Sequence, residues 1–168
     1  MERFWNIIHY FVYKTDYKFH LLFNKINPFV LIHKLPFQKR IYEKKGINIR
    51  NEINKAFRNP NIGISIIRAG GFMHILVFLT CFGVINFFSG LIQQELNLKL
   101  YHFIIILFIT LLVNYFLLFK QKKYRNYFKQ FETMPVGVKK KWAWISFLVI
   151  VCILIFSISS FVFLDYRL

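Results

Sequence analysis

Three long stretches without a charged side chain dominate the hydrophobic pattern of this chain. They cover residues 69–94, 100–119 and 142–164, which are 26, 20 and 23 residues long and rich in Phe, Ile, Leu and Val. A bilayer core about 30 Å thick is crossed by about 20 residues of α-helix. The pattern therefore predicts an all-α integral membrane protein with three transmembrane helices, at about 70–90, 101–119 and 142–164.

Basic residues predict the orientation of these helices. Residues 1–70 hold 13 of the 23 Lys and Arg residues, and the loop 120–141 holds eight more. The two remaining segments outside the helices contain one basic residue each, Lys99 and Arg167. Because basic residues near helix ends stay in the cytoplasm, we expect a cytoplasmic N-terminus, a basic inner loop and a C-terminus outside. The Lys-, Asn-, Ile- and Phe-rich composition suggests a bacterial source, and hence the inner membrane.

Aromatic residues occur where the predicted helices meet the lipid headgroups. Amphipathic aromatic rings favour this interface and form belts at both sides of a membrane. The pattern predicts four interface anchors: Tyr101, Trp142, Trp144 and Tyr166.

Residues 1–68 form a separate basic, aromatic-rich region, followed by a membrane domain at 69–168. Its mixture of aromatic, aliphatic and lysine side chains predicts short amphipathic helices at 2–13, 19–32 and 48–58, which lie in the membrane interface or the cytoplasm or pack beneath the spans. Asn48 is a candidate N-cap for the third helix, and Asn59-Pro60 is expected to end it. The glycines that follow, Gly63, Gly70 and Gly71, predict a hinge before the first transmembrane helix.

Small and polar residues within the apolar stretches indicate how the helices pack. In the first stretch, Thr80, Gly83, Asn86 and Gly90 recur at spacings of three, three and four. Such residues favour close helix contact and interhelical hydrogen bonds in lipid. They either hold the bundle together or line a water-filled path between subunits. The full predicted set is His74, Thr80, Gly83, Asn86, Gly90, Thr110, Asn114, Ser146, Ser157 and Ser160.

The basic loop between the second and third helices is the strongest candidate functional surface. We expect it to begin as a helical extension of the second helix and to turn at Pro135 and Gly137. Orientation and attraction to anionic lipid explain its charge, with an acidic protein or a nucleotide-like signal as alternatives, and nucleic acid is unlikely. The predicted basic face consists of Lys120, Lys122, Lys123, Arg125, Lys129, Lys139, Lys140 and Lys141.

The residues needed for catalysis are scarce. The five histidines lack metal-ligand spacing, the two cysteines fall inside predicted helices, and all seven acidic residues lie outside them. We therefore expect no enzyme activity, no cofactor and no metal site.

Three functional hypotheses follow. The first is a self-assembling pore or channel-type subunit, because three spans enclose a pore only as several copies. The second is an accessory or scaffold subunit of a larger inner-membrane complex, of the secretion or respiratory type. The third is a membrane immunity or lipid-binding protein. The expected partners are anionic lipids of the inner leaflet and either further copies of the chain or other membrane subunits.

Overall fold

The chain is helical throughout the part that the structure describes. The computed structural model describes residues 1–26, 32–33, 35–93 and 99–167, and no strand occurs among them. Two shorter helical turns, a π-helix and a 3-10 helix, lie between the fifth and sixth α-helices. The α-helices are α1 (Glu2–Ile26), α2 (Pro36–Lys44), α3 (Ile49–Arg58), α4 (Ile64–Ile92), α5 (Leu100–Asn114), α6 (Lys123–Glu132) and α7 (Val136–Arg167).

Three helical segments are long and apolar enough to cross a membrane. They are Ile64–Ile92, Leu100–Glu132 and Val136–Tyr166, and each contains one of the three predicted transmembrane helices. The first begins about six residues before its predicted start, because the helix runs unbroken through Gly70 and Gly71. The helix is continuous at these two glycines, so a hinge there stays a prediction.

The second segment changes its helical form where the charged residues begin. A π-helix, Tyr115–Phe119, follows α5, and a short 3-10 turn, Lys120–Lys122, follows the π-helix. Gln121 and Lys122 both have positive φ angles, 56° and 55°. Helix α6 then provides the helical extension expected from the sequence. The chain turns at 133–135 into α7, so Gly137 lies inside this helix and not in the turn predicted for it.

The first helix is longer than the sequence pattern predicts. Separate pieces at 2–13 and from residue 19 onward are expected, but α1 is one helix of 25 residues. Neither Gly nor Pro occurs between residues 2 and 26, so no residue interrupts the backbone hydrogen bonds. The rest of the predicted second piece includes 27–31, which lie outside the described residues.

Helices α2 and α3 follow local sequence rules. Pro36 is at the first turn of α2, where its missing N–H is not needed, so it begins a helix that the sequence analysis does not predict. The side-chain oxygen of Asn48 accepts a hydrogen bond from the backbone N–H of Asn51 at 3.2 Å, which confirms the predicted N-cap of α3. Asn59 ends the helix, also as predicted.

The contacts divide the chain into two compact units. The bundle unit comprises Met1–Phe11 and Gly71–Leu168, and the cationic unit comprises Val12–Gly70. Helix α1 contributes its first residues to the bundle unit and the remainder to the cationic unit. The first eleven residues thus group with the long apolar helices, although the sequence assigns them to the N-terminal region.

Candidate functional site

Most of the predicted polar layer lies inside the bundle unit. Thr80 and His74 are partly buried, and the other members are buried. These buried members, which come from all three membrane-length segments, are Gly83, Asn86, Gly90, Thr110, Asn114, Ser146, Ser157 and Ser160.

Two glycines of α4 allow α7 to pack closely. A Cβ added at Gly83 would lie 2.9 Å from the ring of Phe156, and one added at Gly90 would lie 2.9 Å from the ring of Phe163. The two glycines are seven residues apart in α4, and the two phenylalanines are seven residues apart in α7. The same glycine–phenylalanine contact therefore repeats along two helices that run in the same direction. The hydroxyl of Ser157 also donates to the carbonyl of Leu79 at 3.1 Å.

Asn114 is the most highly connected polar side chain in the bundle unit. Its carbonyl oxygen accepts a hydrogen bond from the indole N–H of Trp5 at 3.0 Å. Its amide nitrogen lies 3.1 Å from Nδ1 of His74, 3.3 Å from the carbonyl of Met73 and 3.2 Å from the carbonyl of Thr110. Asn114 therefore joins α1, α4 and α5 at one point.

Residues 6–10 of α1 are buried next to this point, and none of them is among the site residues predicted from the sequence. The amide of Asn6 donates to the carbonyl of Leu117 in the π-helix at 2.9 Å. His9 is fully buried, and its ring lies 5.7 Å from that of Tyr124 and 5.3 Å from that of Phe128. Burial, and to a smaller extent the nearby His74, lowers the pKa of His9 to about 3, so this side chain is neutral.

The hydrophobic pattern alone does not reveal this docking. Residues 2–13 show an apolar face broken by Asn6 and His9, which is also typical of a helix lying in a membrane interface. Glu2 gives a weak sequence signal, because it is the only acidic residue in 2–13 of a basic chain and favours a basic partner. Its carboxylate accepts from Lys123 at 2.6 Å and from Tyr127 at 3.2 Å, and the Lys123 contact lowers the pKa of Glu2.

Several buried polar atoms in the bundle unit have no hydrogen-bond partner among the described residues. They are Oδ1 of Asn6, both ring nitrogens of His9, Nδ2 of Asn86, Oγ1 of Thr110 and Oγ of Ser146. The polar side chains near Asn114 therefore have some atoms that form hydrogen bonds and others that do not. Asn86 forms fewer hydrogen bonds than Asn114.

The predicted basic face is partly occupied by contacts within the bundle unit. Lys123 pairs with Glu2, and Lys139 donates to the carbonyl of Glu132 at 2.7 Å. Arg125 lies over the ring of Tyr124, and Lys120 over the ring of Phe116. The remaining members, Lys122, Lys129, Lys140 and Lys141, are exposed.

The predicted interface anchors differ in exposure. Tyr101, Trp144 and Tyr166 are exposed, as expected for rings that contact headgroups. Trp142 is partly buried, with its ring 6.3 Å from that of Phe4 in α1. Trp142 therefore contributes to packing within the bundle unit.

The cationic unit has a different surface. Val12–Gly70 contains twelve Lys and Arg residues and three acidic residues. Neither α2 nor α3 buries a single residue. Large apolar side chains are exposed among the charges, and they include Phe19, Leu22, Phe23, Ile26, Leu35, Phe37, Ile47 and Ile62.

Contacts within the unit nevertheless position its helices. His20 of α1 stacks on Phe57 of α3, with ring centroids 3.5 Å apart, and Asn24 donates to Asn54 at 3.3 Å. Asp16 pairs with Arg68 at 3.2 Å. These contacts join the second half of α1 to α3 and to the start of α4.

The predicted absence of catalytic, cofactor and metal sites stays a prediction, as does a pore lined by the polar layer. Comparisons with protein-family models, with curated proteins and with solved structures find no match to this chain.

Proposed function

We propose that this chain is a non-enzymatic, lipid-binding membrane protein. The three long helices anchor it, and the cationic unit binds anionic lipid headgroups at the cytoplasmic surface. One observation carries the proposal: the cationic unit exposes large apolar side chains and cations together, while α2 and α3 bury no residue.

Water alone is a poor environment for such a surface. Ile26, Phe37 and Ile62 are between 75% and 81% exposed, so their apolar area is almost wholly uncovered by the rest of the chain. Insertion of these side chains below the headgroups would remove that area from water. Neighbouring lysines and arginines would then meet lipid phosphates, with about 1 kcal/mol from each cation close to an anionic surface.

The chain connectivity supports this location. The cationic unit includes the first residues of α4, Ile64–Gly70, and α4 is one of the helices long enough to cross a membrane. A unit that contains the start of such a helix stays within reach of the headgroups. The excess of basic residues in 1–70 favours the cytoplasmic side for this end of α4.

Depth-dependent fluorescence quenching tests the proposal on the full-length chain in liposomes. A bimane probe on Phe37→Cys, with Cys81 and Cys152 replaced by Ala, reports an exposed apolar position of α2. Brominated lipids should quench this probe strongly in anionic bilayers and weakly in zwitterionic ones. The matched control is Asn51→Cys, an exposed polar position of α3, where we expect little quenching in either bilayer. Equal, weak quenching at both sites would contradict the proposal.

Self-assembly is a second candidate, favoured by the exposed surface of α7. Only 11% of the residues in the most apolar stretch of this helix are buried within the chain, so the others are at least partly open to lipid or to another copy. Native mass spectrometry of the protein released from nanodiscs tests this: a fixed homo-oligomer supports assembly, and a monomer contradicts it. A pore between copies would further require a polar lining, whereas Gly83, Asn86 and Gly90 face their own bundle.

A further inference from the structure

The cationic unit contains a cavity of about 570 Å³. It lies between the end of α1 and the helices α2 and α3, and its size is within the range typical of small-molecule sites. A second cavity of about 600 Å³ shares Asn24, Lys25 and Arg50 with the first. These three residues therefore lie where two cavities meet.

The lining of the first cavity has an apolar and a cationic component. Four isoleucines supply the apolar component, and Lys25, Lys39 and Arg50 supply the cations. The isoleucines are Ile26, Ile47, Ile49 and Ile53. A ligand that matches both components has an anionic head and an apolar tail.

Lys25 and Arg50 are the cations best placed to hold an anion. Lys39 already pairs with Glu43, the acidic residue of the cavity, at 3.6 Å. Lys25 and Arg50 are exposed and have no ion-pair partner in the part of the chain that the structure describes. A phosphate is a strong match, because Arg offers a planar fork of donors and Lys a compact charge.

Asn24 adds a neutral, nearly buried polar group at the same place. Its side chain is 5% exposed, and its amide donates to Asn54, which also contacts His20. This hydrogen bond holds the Asn24 side chain of α1 against α3, so the junction of the two cavities has a defined polar wall beside Lys25 and Arg50.

We propose that the cavity is a stoichiometric binding site for one anionic phospholipid, with its phosphate held by Lys25 and Arg50 and one of its two acyl chains against the isoleucines. This inference rests on the proposed lipid-binding function and adds a defined site and stoichiometry to it. General attraction of a basic surface to a membrane needs no cavity, so the two ideas make different predictions for single substitutions.

Native mass spectrometry of the full-length protein released from nanodiscs of mixed phosphatidylcholine and phosphatidylglycerol tests the site. The wild-type chain should retain one phosphatidylglycerol molecule. The double variant Lys25→Gln/Arg50→Gln should lower that retention at least about tenfold. The matched control, Lys44→Gln/Lys45→Gln, removes the same charge from exposed residues of the same unit that do not line the cavity, and should retain the lipid.

A second variant tests the apolar component without altering charge. Ile47 is 43% exposed, so Ile47→Gln should leave the fold intact and lower retention of the lipid. Glycerol phosphate, which has the same head without an acyl chain, should compete poorly. Competition by glycerol phosphate or inorganic phosphate at similar concentrations to lipid would overturn the lipid assignment and indicate a site for a soluble phosphate.

The remaining outcomes separate this inference from the proposed function. Equal loss of lipid in the two double variants would overturn the cavity site and leave general electrostatic binding. If none of these substitutions changes the retention of phosphatidylglycerol, the cavity site is overturned in the same way. No preference for phosphatidylglycerol over phosphatidylcholine in the wild-type chain would overturn both the site and the proposed function.

Discussion

The two halves of helix α1 have opposite environments although they belong to one continuous helix. In the bundle unit, Asn6, Ile7, Ile8, His9 and Tyr10 are all at most 4% exposed. In the cationic unit, the later part of the same helix presents exposed apolar side chains, among them Phe19, Leu22, Phe23 and Ile26.

The two units use their apolar side chains differently. The bundle unit uses apolar, aromatic and polar side chains to join its own helices, as at Asn114 and His9. The cationic unit has helices without buried residues and a cavity large enough for a ligand. Apolar residues of similar type thus stabilise the fold in one unit and remain available to an external partner in the other.

The largest expected effect comes from truncating the same residue type in the two halves of α1. Ile8 is 0% exposed and Ile26 is 81% exposed. Ile8→Ala should lower the free energy of unfolding by about 3 kcal/mol, because it leaves a cavity in a closed core. Ile26→Ala should change it by less than about 0.5 kcal/mol. Unfolding by SDS in mixed micelles measures both, and similar losses would contradict the contrast.

A smaller effect is expected from two asparagines within the bundle unit. Asn114 bonds to three helices, whereas Nδ2 of Asn86 has no partner among the described residues. Substitution by Ala removes the same atoms at both sites. Asn114→Ala should therefore cost about 2 kcal/mol more than Asn86→Ala in the same unfolding assay. Equal costs would show that the bonds of Asn114 contribute little to stability.

The glycine contacts between α4 and α7 provide a third test. Gly83→Ala would place a methyl group against the ring of Phe156 and should lower the free energy of unfolding by about 1–2 kcal/mol. Gly71→Ala is the control, because nothing lies within 4 Å of the added carbon. The control should be neutral or slightly stabilising, since Ala is the better helix former. Destabilisation by Gly71→Ala as large as that by Gly83→Ala would contradict the proposed packing.

The smallest expected effect is a pH dependence from His9. Its pKa is lowered to about 3 in the folded chain, against about 6.5 when unfolded, so the unfolded state binds more protons between these values. Stability should therefore fall as the pH drops below 6.5, by about 1 kcal/mol between pH 7 and 5.5. The groups facing His9 are His74 of α4, Tyr124 of α6 and aromatic rings.

Two variants isolate this contribution from the other histidines. His9→Phe should remove about 1 kcal/mol of the acid sensitivity, because Phe fits the surrounding rings and has no proton to bind. His102→Gln, at the start of α5, is the matched histidine control. Unfolding curves at pH 7 and 5.5 that respond equally to both substitutions would contradict the buried, neutral state of His9.

The sequence predicts the positions of the helices better than it predicts which helices pack against each other. Charge-free stretches suffice to locate the three long helices, and the Asn48 cap follows from local backbone chemistry. Pro36 is ambiguous, because proline both follows helices and begins them, and α2 is missed for that reason. The apolar face at 2–13 predicts that this surface is shielded from water, but it does not say whether lipid or another helix, such as α6, shields it.

The candidate site is also hard to predict, because it is formed by residues that are far apart in the sequence. The polar layer is found by its residue types, yet the hydrogen bonds of Asn114 to Trp5 and His74 join residues 109 and 40 positions apart. The cavity depends on how α1, α2 and α3 meet, and its cations resemble every other lysine and arginine of the region. Such long-range juxtapositions have no local sequence pattern.

Hydrogen–deuterium exchange of the full-length chain in nanodiscs tests the central contrast most directly. Residues 6–10 should be strongly protected in both zwitterionic and anionic bilayers, because their own unit buries them. Residues 36–58 should exchange faster in zwitterionic bilayers and become protected when anionic lipid is present. Exchange at 36–58 that does not respond to anionic lipid would contradict the account, as would a response at 6–10 of the same size.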